Sequence, residues 1–376
     1  MKQGSLIILL AALLAGWIVP VYAQGPEPGK AQPAAAAAPS APPVTTAPVR
    51  AQLSIGKEGA GFNVELVGRK GNDIYYRGQG ASQAEGYMNV NLKNIVRSKF
   101  EFKYDEQEVF KCANERRWAD AANIIIKVIA PAIPYMDFSS NNVVEPALEA
   151  AGYLLKAGMN SQQMGGESNE KLAAAFYTQA SKILQQAGRL SWFEGAYTAQ
   201  LKSIQCLTMM GKVDSAADEL NKMVVCEEVY DNNYGLYWLV QATILYKQKS
   251  YYEALEAAIK SLVFQNKDTE TFPDALLLSA NCYYDVQEMH RARDVYYEII
   301  RLFDHTDWSA VARKQLAIIM KNNLTKGKEM ASSFEVFVGG KEDMNKLCEE
   351  YLKATEKESE LNATTTIKSK EENKTP

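Results

Sequence analysis

Three alanines recur at equal intervals in the second half of the sequence. The step from Ala216 to Ala254 equals the step from Ala254 to Ala292, and each alanine stands just after a polar turn between two stretches with helical apolar periodicity. Two antiparallel helices joined by a short turn need a small residue where their backbones approach. Equal spacing of this length is typical of repeated structural units. The pattern therefore predicts a mainly α fold of stacked helical hairpins, with an ordinary helical bundle as the alternative.

Two cysteines follow the same interval. Cys282 comes after Cys206 at twice the alanine spacing, so the two occupy the same position in the first helix of their hairpins. A free cysteine there acts as a small hydrophobic residue, and we predict packing roles for both. With Cys112, Cys226 and Cys348 the count is odd, and no Cys-x-x-Cys pair occurs. This pattern supports neither a zinc site nor a dense disulfide framework.

The composition is that of a folded protein without a surplus of positive charge. Of 376 residues, 47% are hydrophobic and 23% charged, and 41 Lys and Arg face 45 Asp and Glu, for a net charge of −4. A row of phosphates needs basic side chains, so nucleic acid is not an expected partner. His290 and His305 are the two histidines, which leaves little imidazole for metal binding or proton transfer. Composition thus favours a binding or scaffolding role.

Residues 1–23 have the layout of a cleavable export signal. Lys2 precedes an apolar run, and small residues end the segment at Ala23. The alternative is an uncleaved membrane anchor, because the apolar run is close to the roughly 20 residues that span a bilayer. Cleavage after Ala23 predicts a periplasmic or secreted protein that meets its partners in the cell envelope.

Composition also divides the rest of the chain. Seven prolines and eight alanines in the segment 24–48 cannot form a core and predict an extended spacer. The end of the chain, 355–376, is charged and almost without apolar side chains, which is typical of a solvated tail. The predicted organisation is a signal peptide (1–23), a Pro/Ala-rich linker (24–48), a small β segment (49–104), helical repeats with a capping helix (105–322), a C-terminal appendix (323–354) and a disordered charged tail (355–376).

The β segment contains alternating apolar and polar residues. This alternation predicts strands at 63–67, 73–77, 87–92 and 100–104, with a glycine-containing turn at 68–72. A segment this short is not expected to be stable alone, so we expect it to lean on the helices that follow.

The helical part resembles tetratricopeptide-repeat (TPR) proteins, whose hairpins carry a small residue early in the second helix, an aromatic residue just before it and a tryptophan early in the first. The resemblance covers roughly residues 105–321 and rests on Trp118, Ala121, Ala173, Tyr177, Ala180, Gly211, Ala216, Met223, Trp238, Ala242, Tyr251, Ala254, Ala280, Tyr283, Ala292 and Tyr296. It implies a curved α-solenoid of about five hairpins. Residues 143–186 resemble a degenerate hairpin with an enlarged turn at 158–169, and residues 308–320 a capping helix.

Two features depart from the family pattern. The interval between the alanines exceeds the family's usual period of roughly 34 residues. The helices or their connections are therefore longer here. In addition, Lys249 and Gln287 stand where the family's loop has glycine.

The resemblance also implies a binding surface. In TPR proteins the concave face takes fixed positions of each first helix, and in this sequence those positions are Gln205, Thr208 and Met209, then Thr243, Tyr246 and Lys247, then Asn281, Tyr284 and Asp285. We predict that this face holds a protein partner or a peptide segment; the alternative is that it is only solvated. Adjacent tyrosines begin at 75, 251, 283 and 296, and in the helical pairs we expect one ring to enter the core while the other points outward.

Sequence motifs of catalysis are missing from the chain. It has no Gly-x-Ser-x-Gly elbow, no Gly-x-x-x-x-Gly-Lys loop and no His-Glu-x-x-His pair. We therefore expect no catalytic residue, cofactor or metal, and predict an exported adaptor that binds a protein in the cell envelope. The alternatives are an enzyme or accessory subunit acting on envelope polymers, with carboxylates such as Glu65 and Asp73, or a membrane-tethered scaffold.

Overall fold

The structure is a computed structural model that describes residues 49–56, 61–80, 87–225, 232–264, 271–322 and the single residues 346, 349, 350 and 353. All of them fall within one compact unit, Pro42–Pro376. The predicted signal peptide, linker and tail, most of the C-terminal appendix, Cys226 and Cys348 lie outside the described residues. The described part is mainly helical with a small N-terminal antiparallel β sheet, and none of its helices has both the length and the apolar character to cross a bilayer.

The sheet has five antiparallel strands in the order β4-β3-β2-β1-β5. They are β1 (Val49–Ile55), β2 (Phe62–Lys70), β3 (Asp73–Gly78), β4 (Met88–Asn91) and β5 (Ile95–Phe100). Side chains alternate between two faces, as strand geometry requires. One face is apolar and buried, with Leu53, Leu66 and Ile74 fully shielded from solvent. The other, here called the outer face, carries mostly polar side chains.

Two predicted features of the β segment are wrong, and one strand was not predicted. The turn expected at 68–72 begins later, because a bulge between Leu66 and Gly68 lets β2 continue to Lys70. A strand was expected at 100–104. The structure instead has β5 at Ile95–Phe100, which ends where the expected strand would begin. There the side-chain amide of Asn142 accepts from the Phe100 N–H at 2.7 Å and donates to its carbonyl at 3.1 Å, so it takes the place of a neighbouring strand. Strand β1 was missed.

The sheet rests on the segment that follows the second helix, in line with the expectation that it leans on the helical part. The ring of Phe100 contacts Tyr135 and Phe138 at centroid distances of 6.3 and 5.9 Å. On β2 the guanidinium of Arg69 forms two 2.6 Å bonds with the carboxylate of Asp137. A bidentate pair of this kind fixes orientation as well as distance.

Eleven α-helices follow within the described residues, joined mostly by short turns. They are α1 (Glu106–Asn114), α2 (Trp118–Ile129), α3 (Val144–Met164), α4 (Glu167–Gly188), α5 (Ala196–Met209), α6 (Val213–Asn221), α7 (Asn232–Lys247), α8 (Tyr251–Phe264), α9 (Thr271–Asp285), α10 (Met289–Leu302) and α11 (Asp307–Lys321). The predicted capping helix corresponds to α11.

The enlarged turn predicted at 158–169 is wrong. Helix α3 continues to Met164, and the chain reverses at Gly165 and Gly166, which both have positive φ. Gly158 is instead a close-packing residue inside α3, because a Cβ there would stand 2.5 Å from the ring of Tyr177 on α4. The glycine that suggested a turn therefore allows two long helices to approach.

The boundaries of six helices repeat at the alanine interval. Helices α5, α7 and α9 end at Met209, Lys247 and Asp285, and the helices after them begin at 213, 251 and 289. Ala216, Ala254 and Ala292 are fully buried, as a close helix crossing requires. The three hairpins thus share one local geometry.

The turns of these hairpins are also alike. Gly211, Lys249 and Gln287 have φ of 76°, 65° and 65°, so the backbone of all three is in the left-handed helical conformation. In each turn this residue's N–H bonds the carbonyl three residues back, and the next N–H bonds the carbonyl five residues back, at 2.9 to 3.1 Å. This is the Schellman type of helix end. Arg116, between α1 and α2, takes the same form with φ of 58°.

One of the tyrosine pairs differs from the expectation. Tyr296 and Tyr297 are both buried, although we expected one of them to point outward. Helix α10 packs against α9 on one side and α11 on the other, so its buried face is wide enough for both rings. In the pair on α8, by contrast, Tyr252 is 70% exposed.

Candidate partner-binding surface

The first helices of successive hairpins, together with α11, are bonded to one another in chain order. A side-chain hydrogen bond joins each helix to the next. The three bonds, each 2.6 Å long, run from Thr198 on α5 to Asn233 on α7, from Tyr246 on α7 to Asp285 on α9, and from Trp308 on α11 to Asp274 on α9. Helices α5, α7, α9 and α11 therefore form a row, and the predicted site residues lie on the first three of them.

The α5 positions offer little polar reach. Thr208 is buried, and its hydroxyl donates to the carbonyl of Ile204 at 3.1 Å. Gln205 and Met209 are half-buried. Of the three, Thr208 is a packing residue.

The α7 positions divide into buried and exposed groups. Thr243 is nearly buried and donates its hydroxyl to the Leu239 carbonyl at 2.8 Å. Lys247, at the end of the helix, is exposed, and its ammonium group has no ion-pair partner among the described residues. Lys247 is therefore the cation of this helix that is open to a ligand.

Tyr246 is committed to a contact within the chain. Its hydroxyl donates to the Asp285 carboxylate at 2.6 Å, and its ring lies 5.5 Å from that of Tyr251. Burial, with a smaller effect of the hydrogen bond to Asp285, raises the pKa of the Tyr246 hydroxyl above its ordinary value. Tyr246 and Tyr284 both belong to the binding face that we predicted from the sequence. In the structure Tyr246 joins α7 to α9.

The α9 positions show the same division. Asn281 accepts a 2.6 Å hydrogen bond from the hydroxyl of Tyr296, and Asp285 accepts the bond from Tyr246. Tyr284 is half-buried, and its hydroxyl has no hydrogen-bond partner in the part of the chain that the structure describes. The predicted residues that remain available to a partner are thus Gln205, Met209, Lys247 and Tyr284.

Reactive groups near this row are held in unreactive states. Cys206 and Cys282 are fully buried, and burial raises the pKa of each thiol to about 12. Both stay protonated at neutral pH, as the packing role predicted for them requires. Within the described ranges no cluster of three or more His, Cys, Asp or Glu side chains could hold a metal ion.

The carboxylates named for the alternative enzymatic role lie on the sheet. Glu65 on β2 forms a 2.7 Å ion pair with Arg77 on β3, and a longer one of 3.8 Å with Arg50 on β1. Asp73 accepts a weak 3.4 Å bond from Asn91. The structure thus places Glu65 in a cross-strand ion pair and does not join it to Asp73.

A contact between the two ends of the helical region was not predicted. Arg116, in the turn between α1 and α2, forms a 2.6 Å ion pair with Asp307, the first residue of α11, and donates to the His305 carbonyl at 3.0 Å. Both charged groups are about half exposed. The helix that the sequence assigned as a cap on an open end therefore also touches the first hairpin. The sequence carries no signal for this contact, because the left-handed position of this turn holds Arg116 and not a glycine.

Comparisons with protein-family models, with curated proteins and with solved structures return no match.

Proposed function

We propose that this protein is an exported, non-enzymatic adaptor whose TPR-like hairpins hold a segment of a partner protein in the cell envelope. In this proposal the hairpins form a short curved solenoid, and the row of first helices is its binding face. The signal peptide is removed after Ala23. The TPR resemblance supplies the interaction role.

The repetition of one hairpin geometry carries the proposal. Three hairpins share helix ends, a left-handed turn residue and a buried alanine at one interval, and their first helices are linked by hydrogen bonds. Repeated units of this kind form extended surfaces, because each unit contacts mainly its neighbours. Such an array offers an extended surface along which a segment of another protein can lie. The buried thiols pack within it and are not available for chemistry.

Within this face we assign recognition to Tyr284 and Lys247. Tyrosine supplies a large contact area with little loss of rotamer freedom, and aromatic side chains are enriched among residues that dominate binding energy. Lys247 adds a charge at the end of the neighbouring helix. Tyr246 and Asp285 hold these two helices at fixed spacing.

The test combines crosslinking with a matched pair of tyrosine variants. A photo-crosslinking amino acid is placed at position 247 of the full chain, and the protein is produced in its native host, where it meets its natural partners. The crosslink identifies the partner, which is then purified and titrated. We expect Tyr284→Ala to weaken binding at least about tenfold, equivalent to about 1.4 kcal/mol. The control is Tyr252→Ala on α8, the same change at an exposed ring on a second helix. Equal losses in the two variants, or a crosslink from position 252 but not 247, contradict the proposal.

Export is tested separately. Intact-mass measurement of the purified protein should show an amino terminus at Gln24 and recovery in soluble form. Retention of Met1 in the membrane fraction contradicts cleavage and favours the tethered scaffold.

A further inference from the structure

The β sheet has a charge opposite to that of the chain as a whole. Its described residues between 49 and 104 include eight Lys and Arg against three Asp and Glu, whereas the full chain has a net charge of −4. A concentration of one sign on a small element attracts ligands of the other sign. The sheet therefore differs from the helical array in the ligands it can attract.

Strand register places four of these basic residues on the outer face. Lys99 on β5 pairs with Gln52 on β1, and Arg97 pairs with Ser54, so both lie opposite the buried Ala51 and Leu53. Arg50 pairs with Glu65, which pairs with Arg77. From strand geometry, Arg97 and Lys99 lie about 7 Å apart along β5, and Arg50 about 8 Å from Lys99.

Most of this positive charge is not neutralised within the chain. Glu65 is engaged by Arg77 at 2.7 Å and only distantly by Arg50, at 3.8 Å. Arg97 and Lys99 are exposed and have no acidic partner among the described residues. The outer face thus presents basic groups that are ready to form charge-assisted hydrogen bonds with carboxylates.

Uncharged polar groups lie between these cations. Gln52 and Asn63, which pair across β1 and β2, are exposed beside Lys99. With Lys99, Phe100, Glu101, Phe102, Lys103 and Asn142 they line an open groove of about 680 Å³. This is within the roughly 300–1,000 Å³ typical of ligand sites. The Asn142 amide is already bonded to the Phe100 backbone, and Glu101 adds one exposed carboxylate to the groove. Amides donate and accept hydrogen bonds and so suit hydroxyl groups.

We propose that the outer face of the sheet, around Arg97, Lys99, Gln52 and Asn63, binds an acidic polysaccharide. Carboxylates of the sugar chain meet the cations, and its hydroxyls meet the amides. A nucleic acid fits less well, because it carries a charge on every nucleotide and bases that stack on aromatic rings. Along β1, β2 and β5 this face has no exposed aromatic ring for a base to stack on: Tyr75 lies to one side on β3, and of the two rings that line the groove Phe100 is buried and Phe102 half-buried. A membrane surface fits less well because the positions around Gln52, Asn63 and Lys99 are polar, with Val96 as the exposed apolar side chain of β5.

The experiment measures binding of the full-length protein to fluorescently labelled polygalacturonate by anisotropy. We expect saturable binding that weakens as salt is raised from about 0.05 M to about 0.5 M, since screening shortens the range of these charges. The double variant Arg97→Gln/Lys99→Gln should bind at least about tenfold more weakly. Lys314→Gln/Lys321→Gln, which removes the same charge from exposed positions on α11, should bind like the unchanged protein.

Several results overturn the inference. They are equal losses in the two double variants, unchanged binding by Arg97→Gln/Lys99→Gln, equal binding of neutral dextran, and tighter binding of single-stranded DNA or anionic vesicles than of polygalacturonate. Far-ultraviolet circular dichroism verifies that the variants fold. Because the face belongs to the sheet, Tyr284→Ala should leave polysaccharide binding unchanged, so this inference and the adaptor proposal fail or succeed separately.

Discussion

The left-handed turn residue gives a quantitative test of the repeated hairpin. Gly211, Lys249 and Gln287 hold the same position with nearly the same φ, but only the first is a glycine. We predict that Lys249→Gly stabilises the protein and that Gly211→Ala destabilises it. The Lys249 side chain is exposed and has no bonded partner among the described residues, so its removal loses no contact.

The expected size follows from two opposing effects. A residue with a Cβ costs roughly 1–2 kcal/mol in the left-handed region. Replacing Lys249 by glycine removes this strain. Part of the gain is lost again, because glycine has more conformational freedom in the unfolded chain, which costs roughly 0.4–1 kcal/mol on folding. A Cβ at Gly211 would meet no atom within 4 Å, so no clash adds to the backbone effect. We therefore expect a gain of about 0.5–1 kcal/mol for Lys249→Gly and a similar loss for Gly211→Ala.

Urea unfolding followed by circular dichroism measures both variants. The matched control is Gln248→Gly, one residue earlier, where the N–H still makes a helical bond to the Ile244 carbonyl at 3.0 Å. Glycine there should destabilise by about 0.5–1 kcal/mol. If Gln248→Gly and Lys249→Gly change the free energy of unfolding in the same direction, the turn residue is not left-handed and the shared geometry is refuted.

Three further predictions concern packing, closure and pH. Ala254→Leu should overpack the α7–α8 crossing and lower the free energy of unfolding by roughly 1–3 kcal/mol, whereas Lys247→Ala should cost less than about 0.5 kcal/mol; similar losses in urea unfolding would contradict the assigned frame. Arg116→Ala should cost less than about 1 kcal/mol, and the difference should vanish in high salt, because the ion pair is exposed; a salt-independent loss would mean that the contact is not ionic. The neutral thiol of Cys206 should stabilise the fold fully below pH 9.0, its ordinary pKa, and lose this effect as the pH rises towards about 12; a Cys206→Ala variant with the same alkaline decline would contradict this.

The helical lattice was predictable because one physical requirement recurs. A close helix crossing needs alanine, and the recurrence of Ala216, Ala254 and Ala292 located three hairpins whose ends repeat at the same interval. Gly158 misled the same reasoning, because a glycine in a turn and a glycine under the Tyr177 ring look alike in sequence. The β segment was less predictable, since a bulge between Leu66 and Gly68 breaks the alternation on which strand prediction depends.

The candidate site was predictable in position but not in bonding. Helical periodicity and the family resemblance selected positions along the first helices. They could not show that the hydroxyl of Tyr246 donates a 2.6 Å hydrogen bond to the carboxylate of Asp285 in the next hairpin. The contact of Arg116 with the start of α11 is further from prediction still, because the Arg116–His305 bond joins residues 189 positions apart.

The amide of Asn142 has a consequence for how this protein behaves at high concentration. An edge strand with free N–H and C=O groups is a template on which another chain can add a strand, the first step towards intermolecular sheets. At the end of β5 that template is already occupied, because Asn142 bonds both backbone groups of Phe100. The opposite edge, β4, offers only four residues. The end of β5 and the short border at β4 are thus poor nuclei for aggregation, although the sheet is small and one of its faces is largely apolar.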